Sequence, residues 1–237
     1  MRLLTLDHWA TIFDPLRGLR VGVVDGIGNV GDTLLYAATR QMLDHWGIAH
    51  TTVAPLVERV DPSKYDKLLL FAGGNLGYPP CTAIRQAAIE TRIPCWVLPQ
   101  SALLFEENPW ERVFVRESRS RAILARGEIV PDLALGYDFP EPQTTERIPH
   151  GLFLRRYGSA LFGDVGAVDP AECCHTVRAY CDLAERYTAI TTDRLHFAIA
   201  ALGMGCEVTL LPVDYHKNSA MYAEYLEPLG CRWKDSP

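Results

Sequence analysis

The sequence predicts an α/β protein built on parallel sheet in two successive parts, and three observations predict it. Runs rich in valine or leucine, such as Leu19 to Asp25 and Lys67 to Ala72, alternate with segments of helical periodicity such as Thr33 to His45. The turns between them are short, so consecutive runs read as βα units, which form a parallel sheet covered on both faces. From Tyr137 to His150 the chain turns polar and proline-rich, with Pro140, Pro142 and Pro149, before the pattern resumes. This stretch reads as a linker between a first domain, residues 1–138, and a second, residues 150–237.

The 237 residues are 48% hydrophobic and 22% charged, enough for one large or two small domains with a buried core. The net charge is −6 and no Lys/Arg cluster interrupts the mixture, so the basic footprint of a nucleic-acid binder is missing. No apolar run approaches the roughly 20 residues of a membrane span. Asp7 and Trp9 come too early for a signal peptide, so a cytoplasmic protein is expected. Cys81, Cys95, Cys173, Cys174, Cys181, Cys206 and Cys231 fall at irregular spacings, which suggests reduced thiols rather than a disulfide framework or a zinc site. The group Cys173, Cys174 and Cys181 reads as helix-face cysteine in preference to soft-metal ligands.

Residues 1–18, with Trp9 and Phe13, read as an arm or short helix ahead of the first strand, Leu19 to Asp25. The helix Thr33 to His45 follows, with Leu34, Leu35, Ala38, Met42 and Leu43 on its apolar face. Between them, Gly26-Ile27-Gly28-Asn29-Val30-Gly31-Asp32 spells the glycine pattern of a dinucleotide-binding turn. Two features count against that use. The next strand, about His50 to Ala54, ends in Pro55 instead of an acid for a ribose, and Glu58 comes late. Asp32 also puts a carboxylate where a pyrophosphate would lie. No NAD(P) is expected. The turn is either a glycine turn capped by Asp32 or a polar pocket in which Asn29 and Asp32 meet hydroxyls.

Lys67 to Ala72 reads as a buried strand that breaks at Gly73-Gly74-Asn75-Leu76-Gly77, whose small residues let backbone approach a ligand or loop. Cys81 to Thr91 reads as helix, and Pro94 to Leu98 as strand with Pro99-Gln100-Ser101 as its carboxyl-end turn. Val113 to Arg116 is a strand, Glu117 to Ala125 a helix, and Ile129 to Leu135 the last strand region of the first part. The second part has strands at Gly151 to Arg155, Tyr187 to Thr191 and Cys206 to Leu211, and helices at Pro170 to Arg186 and Tyr215 to Pro228. Ligand contacts are expected at the carboxyl ends of the strands.

Thr191-Thr192-Asp193-Arg194-Leu195-His196 opens the apolar run Phe197 to Met204, a buried helix closed by Gly203 and Gly205. Arg194 and His196 then stand in its first turn, where free N–H groups and the macrodipole are already positive. Cationic side chains conflict with that end unless an anion compensates them. In the plain alternative, Asp193 caps the helix and pairs with Arg194, and His196 is a satisfied, half-buried histidine.

The turns, taken in order, resemble the polysaccharide pyruvyl transferase family. The matching pieces are Gly28-Asn29-Val30-Gly31-Asp32, Gly73-Gly74-Asn75-Leu76, Pro99-Gln100-Ser101, Val115-Arg116-Glu117-Ser118-Arg119-Ser120, Pro131-Asp132-Leu133-Ala134 and Asp193-Arg194-Leu195-His196-Phe197-Ala198-Ile199, with Lys217 beyond. Each is short, and their shared order over residues 19 to 226 carries the likeness. The resemblance implies two Rossmann-like parallel-sheet domains facing across a cleft, as in GT-B glycosyltransferases. The segment between Asp132 and Arg194 is compact, so the second domain is reduced, which puts the acceptor in question more than the donor.

The resemblance further implies transfer of a pyruvate ketal group from phosphoenolpyruvate to the hydroxyls of a sugar in a surface polysaccharide or its precursor. No cofactor or metal is called for; the partners are phosphoenolpyruvate and a carbohydrate acceptor, which if lipid-linked would bring the protein to a membrane surface. Arg116 and Arg194 suit the donor's phosphate and carboxylate as clamps from the two halves. Leu195, His196 and Lys217 complete the donor side. His196, Asp32 and Glu117 are the candidate catalytic groups, with Asp193 a further acid/base candidate. Asn29, Asp32, Gly74, Asn75 and Gln100 are expected on the acceptor side. A glycosyltransferase using a nucleotide sugar and a non-catalytic anion or partner binder of the same fold are the alternatives.

Overall fold

A computed structural model describes residues 1–53, 60–106, 109–157, 160–162 and 166–237, without the side chain of Asn75. The expected strand end at Ala54 and Pro55, and Glu58, lie outside the described residues. The chain forms two compact units. Leu4–Ile27 and Leu35–Gly136 make the amino-terminal unit; Met1–Leu3, Gly28–Leu34 and Tyr137–Pro237 make the carboxyl-terminal one.

The chain opens with an arm of short turns around α1 (Ala10–Phe13). Its apolar residues Trp9, Ile12, Phe13 and Leu16 are fully buried, and the Trp9 indole N–H donates to the Pro131 carbonyl at 2.8 Å. Then come β1 (Val21–Val24), α2 (Val30–His45), β2 (His50–Val53), β3 (Lys67–Leu70), β4 (Gly73–Leu76), α3 (Pro79–Glu90), β5 (Cys95–Ala102), β6 (Arg112–Val115), α4 (Ser118–Leu124) and β7 (Glu128–Ile129). The strands pair in parallel in the order β2-β1-β3-β5-β6-β7, with β4 against β5. Strands β1, β3 and β5 are buried along their whole length, because helices cover both faces of such a sheet and the residues on both faces are apolar.

Two expected turns are strand. Leu70 pairs with Val97, the path kinks at Phe71 and Ala72, and Gly73 resumes it opposite Gln100 with φ 147°, a region open to glycine. The Gln100 side-chain amide donates to the Phe71 carbonyl at 2.5 Å across that kink. The small residues at 73–77 and the proline at 99 suggest turns, but pairing along a buried central strand overrides local propensity. Conversely, the expected strand Ile129 to Leu135 shortens to β7 and continues as a 3-10 turn, Leu133–Gly136. Pro131 cannot donate to a ladder, and the Asp132 carboxylate accepts the Ala134 N–H at 2.9 Å, which favours the turn.

The carboxyl-terminal unit contains β8 (Ile148–Phe153), α5 (Pro170–Cys173), α6 (Val177–Glu185), β9 (Tyr187–Thr192), α7 (Leu195–Gly203), β10 (Glu207–Leu210), α8 (Lys217–Met221) and β11 (Arg232–Trp233). Its parallel order is β11-β10-β9-β8, a four-stranded sheet against seven strands in the first unit. The expected helix Pro170 to Arg186 is two helices: Thr176 adopts an extended backbone and caps α6 by accepting the Ala179 N–H at 3.1 Å. Helix α7 is the core. Phe197, Ala198, Ile199, Ala200 and Ala201 are fully buried, and the Phe197 ring meets Phe153 and Tyr180 with centroids 4.9 Å away. Among the described residues no helix is long and apolar enough to cross a membrane.

The stretch from Tyr137 to His150 belongs to this unit and is strapped to it. Phe139 is 2% exposed and lies over Gly203, where a Cβ would come within 2.3 Å of the ring. Burying such a ring contributes about 1.5–3 kcal/mol. Glu185, on α6, accepts the Gln143 N–H at 2.9 Å and the Thr144 hydroxyl at 3.1 Å, and Arg147 donates to the Met204 carbonyl at 3.1 Å. A polar, proline-rich sequence describes an anchored extended strap as well as a loose tether, and only the contacts separate the two. Glu185→Ala should therefore open the strap: limited proteolysis mapped by mass spectrometry should cut within residues 140–147 in the variant well before it does in the wild type.

Candidate functional site

In the carboxyl-terminal unit the register of β8, β9 and β10 sets Phe153, Thr192 and Leu210 side by side. The residues that follow these strands share one rim, where parallel sheets place their ligands. Arg155 follows β8, Asp193 and Arg194 follow β9, and Tyr215 to Asn218 follow β10. Asp193 joins the first two strand ends, its Oδ1 accepting the Arg155 backbone N–H at 2.8 Å. The buried Asn218 amide joins the last two, donating to the Asp193 and Leu211 carbonyls at 2.8 Å each.

Arg194 is the N-cap residue of α7, and no side chain caps that end. Asp193 neither caps the helix nor pairs with Arg194. The Arg194 guanidinium instead forks onto Asp169, with Nε to Oδ1 at 2.9 Å and Nη2 to Oδ2 at 2.5 Å. Asp169 is fully buried and also accepts the N–H groups of Ala171 and Arg156 at 3.0 and 3.1 Å. Burial opposes its ionisation, but the Arg194 fork and the two N–H donors outweigh burial and hold the carboxyl below its ordinary range. The cation at the helix start thus has an internal anion, which removes the conflict that marks Arg194 in the sequence.

Arg155 is different. Its side chain is 9% exposed; among the described residues its Nε has no hydrogen-bond partner, and Asp193 Oδ2, 3.7 Å away, is likewise without a hydrogen bond. Burial, then the like charge of Arg194, pushes the Arg155 pKa down, while burial pushes that of Asp193 up. A buried charge is costly unless it is hydrogen-bonded and paired. Arg155 is therefore a desolvated guanidinium without a complete counter-anion, on the same rim as the uncapped start of α7. Lys217 stands on this rim too, with Nζ 5.3 Å from the centroid of the Tyr215 ring. Sequence reasoning missed Arg155, Asp169, Tyr215 and Asn218; the one signal for Arg155 is its place at the carboxyl end of a strand.

The glycine turn Gly28 to Asp32 also belongs to this unit. Asn29 Oδ1 accepts the Gly31 N–H, and Asp32 Oδ2 accepts the Asn29 N–H, both at 2.8 Å. This reciprocal pair is a capping box for α2. Gly28 is required by it, since a Cβ there would lie 2.1 Å from Asp32 Oδ2. Asn29 and Asp32, expected to meet an acceptor or to move protons, thus each commit one oxygen to the helix start. The turn adjoins the Arg-Leu-His segment: a Cβ added at Gly31 would meet the His196 side chain. Burial chiefly raises the pKa of Tyr180 on α6, and its charged neighbours include Arg194, Asp169 and Asp32.

The remaining expected site residues lie in the amino-terminal unit. Arg116, expected as a donor clamp, is fully buried: its Nη1 bonds Asp132 at 2.5 Å and its Nε bonds the Ser101 hydroxyl at 2.8 Å. Glu117, expected as a catalytic group, is the fully buried N-cap of α4, accepting the Ser120 N–H at 2.8 Å and the Ser120 hydroxyl. Ser120 in turn accepts the Ala102 N–H at 2.7 Å. Gln100 is buried at the β3/β4 kink, and Gly74 lies within β4. The side chain of Asn75 is outside the described residues. The motifs around Ser101, Arg116, Glu117 and Asp132 therefore form two adjacent buried polar groups at the ends of β5 and β6. Their residues were legible as a set, but their role as mutual partners was not. Among the described residues no three His, Cys, Asp or Glu side chains gather as a metal site.

Comparison with known proteins fits this geometry. The model of the family described as polysaccharide pyruvyl transferase matches residues 29–215. No curated protein matches. Among solved structures, an uncharacterized protein of Klebsiella pneumoniae superposes with a TM-score of 0.73 at 20% identity, covering 91% of this chain and 92% of that one. A putative UDP-N-acetylglucosamine 2-epimerase from Listeria monocytogenes gives 0.54 at 11% identity over 90% and 83%. The S. aureus MnaA-UDP co-structure gives 0.51 at 12% identity over 90% and 83%. At these identities the likeness is one of fold, a parallel-sheet α/β architecture of the GT-B kind.

Because Arg116 and Asp132 are buried partners, Arg116→Ala strands a carboxylate and should cost about 3–5 kcal/mol of stability. Thermal melting should show that loss, while the folded fraction should bind anions with unchanged affinity; an anion-binding defect at wild-type stability would return Arg116 to the site.

Proposed function

The chain belongs to the polysaccharide pyruvyl transferase family, and from that premise we propose that it moves a pyruvyl group from phosphoenolpyruvate onto a pair of hydroxyls of a sugar in a surface polysaccharide or its lipid-linked precursor. The observation that carries this reading is the buried Arg155 guanidinium, which lacks a hydrogen-bonded counter-anion. Phosphoenolpyruvate offers two anionic groups, and a planar guanidinium binds either in a bidentate fork. The start of α7, where the Arg194 side chain makes no capping bond, suits the phosphate. Lys217 adds positive charge to the same rim.

In this mechanism the donor's methylene carbon takes a proton, and one sugar hydroxyl bonds the adjacent carbon and gives up its own. The bond from that carbon to the phosphate oxygen then breaks, and the second hydroxyl closes the ketal as its proton passes to the departing phosphate. Atoms and charge balance without an oxidant, a reductant or a cofactor. His196 donates a hydrogen bond or proton to the leaving phosphate. Asp193, with a carboxyl pushed up by burial and placed beside Arg155, is better placed to protonate carbon than Asp32 or Glu117, which are held in helix caps.

A nucleotide sugar is the second reading. The fold is shared with S. aureus MnaA, whose structure holds UDP, and an uncapped helix start beside Arg155 also suits a diphosphate. Calorimetric titration with phosphoenolpyruvate and with a UDP-sugar separates the two. Arg155→Ala should weaken the donor by at least about thirtyfold, the loss of one desolvated charge-assisted contact at roughly 2 kcal/mol or more. Its melting temperature should fall less than that of Arg194→Ala, since the pair with Asp193 is long at 3.7 Å and burial already pushes the Asp193 carboxyl toward its neutral form. Arg155→Lys should not restore affinity, because an ammonium lacks the fork. Arg194→Ala should behave differently, losing stability because Asp169 is left buried and unpaired. Wild-type donor affinity in Arg155→Ala would remove the basis of this reading.

A further inference from the structure

Gly31 lies in the first turn of α2 with its Cα against His196. A Cβ built there would stand 2.9 Å from His196 Nδ1 and 3.0 Å from His196 Cβ, closer than real Cβ contacts approach. The Cβ–Nδ1 edge of the imidazole therefore faces the glycine, and Nε2, at the far end of the ring, points away from it. The backbone of this turn is fixed by the reciprocal bonds of Asn29 and Asp32, and Gly28 makes room for the Asp32 carboxylate that closes them. Within the dinucleotide-like glycine pattern, Gly28, Asn29, Gly31 and Asp32 thus have a different use: together they bring bare backbone up to one histidine.

We propose that Gly31 is a positioning residue for His196, and that the turn Gly28 to Asp32 sets which imidazole nitrogen is presented to the donor's leaving phosphate. This rests on the proposed role of His196 in pyruvyl transfer. A methyl group at Gly31 presses on the ring, because the two nearest atoms it meets are His196 Nδ1 and Cβ, near the root of the side chain and backed by the first turn of α7; the third, Asn29 Oδ1 at 3.1 Å, belongs to the same turn. The helix itself gains from the change, since alanine favours helix over glycine. Gly31→Ala should therefore separate stability from function in a way that a merely structural glycine would not.

The test uses the full chain with 15N-labelled histidine. Long-range 1H–15N spectra report the tautomer and surroundings of each imidazole, with His196→Gln assigning the His196 signal. In Gly31→Ala the His196 signal should shift, turnover should fall at least about tenfold, as expected for a displaced reacting group, and the melting temperature should stay level or rise. Asp32→Ala, which frees the turn without adding bulk, should shift the same signal and provides the comparison should Gly31→Ala fail to fold. An unshifted His196 signal and wild-type turnover in the variants overturn the positioning role and leave the function standing. Failure of the wild type itself to bind phosphoenolpyruvate overturns the function, and the proposal with it.

Discussion

The bidentate pair between Arg194 and Asp169 is the interaction on which the carboxyl-terminal unit's rim depends. It fastens the start of α7 to the start of α5, two helices whose sequences are far apart, and it neutralises the charge that α7's own dipole disfavours. It also uses up the carboxylate best placed to serve a second guanidinium. Asp193 is left with one oxygen on the Arg155 backbone and the other 3.7 Å from Nε. The incomplete compensation of Arg155 is thus a consequence of how completely Arg194 is compensated, and the two arginines divide into a structural one and an available one.

The same division of labour runs through the amino-terminal unit. Ser101, Arg116 and Asp132 bond one another in a buried region, and Glu117, Ser120 and Ala102 do so beside them. Each of these motif residues is held by its buried partners, and losing one leaves the other unpaired at a cost. That constraint explains how short motifs scattered along a chain can mark a family without each of them touching a substrate. Gln100 follows the same logic at the β3/β4 kink, where its amide bonds the Phe71 carbonyl.

The glycine turn shows a third use of motif residues. A carboxylate at a helix start, bonded to the N-cap N–H, occupies the position that an anionic ligand takes in a dinucleotide-binding turn. The pattern of glycines is alike in both, because both need backbone without side chains close by. What differs is the neighbour that the bare backbone approaches, which here is His196.

The sequence by itself determined the α/β class, the parallel sheets and the position of α7, because apolar periodicity and helix-start residues act over a few residues at a time. It also singled out the Arg-Leu-His segment, through the conflict between its cations and the helix end. The partners were decided only by the tertiary structure. Arg194 meets Asp169 across 25 residues, Arg116 meets Asp132 across 16, and the Arg155 N–H meets Asp193 across 38. Nothing local distinguishes an arginine that will find a carboxylate from one that will not. Whether a guanidinium ends up neutralised in a core or held on a rim without its anion depends on which strand ends the register sets side by side, and that is a property of the sheet.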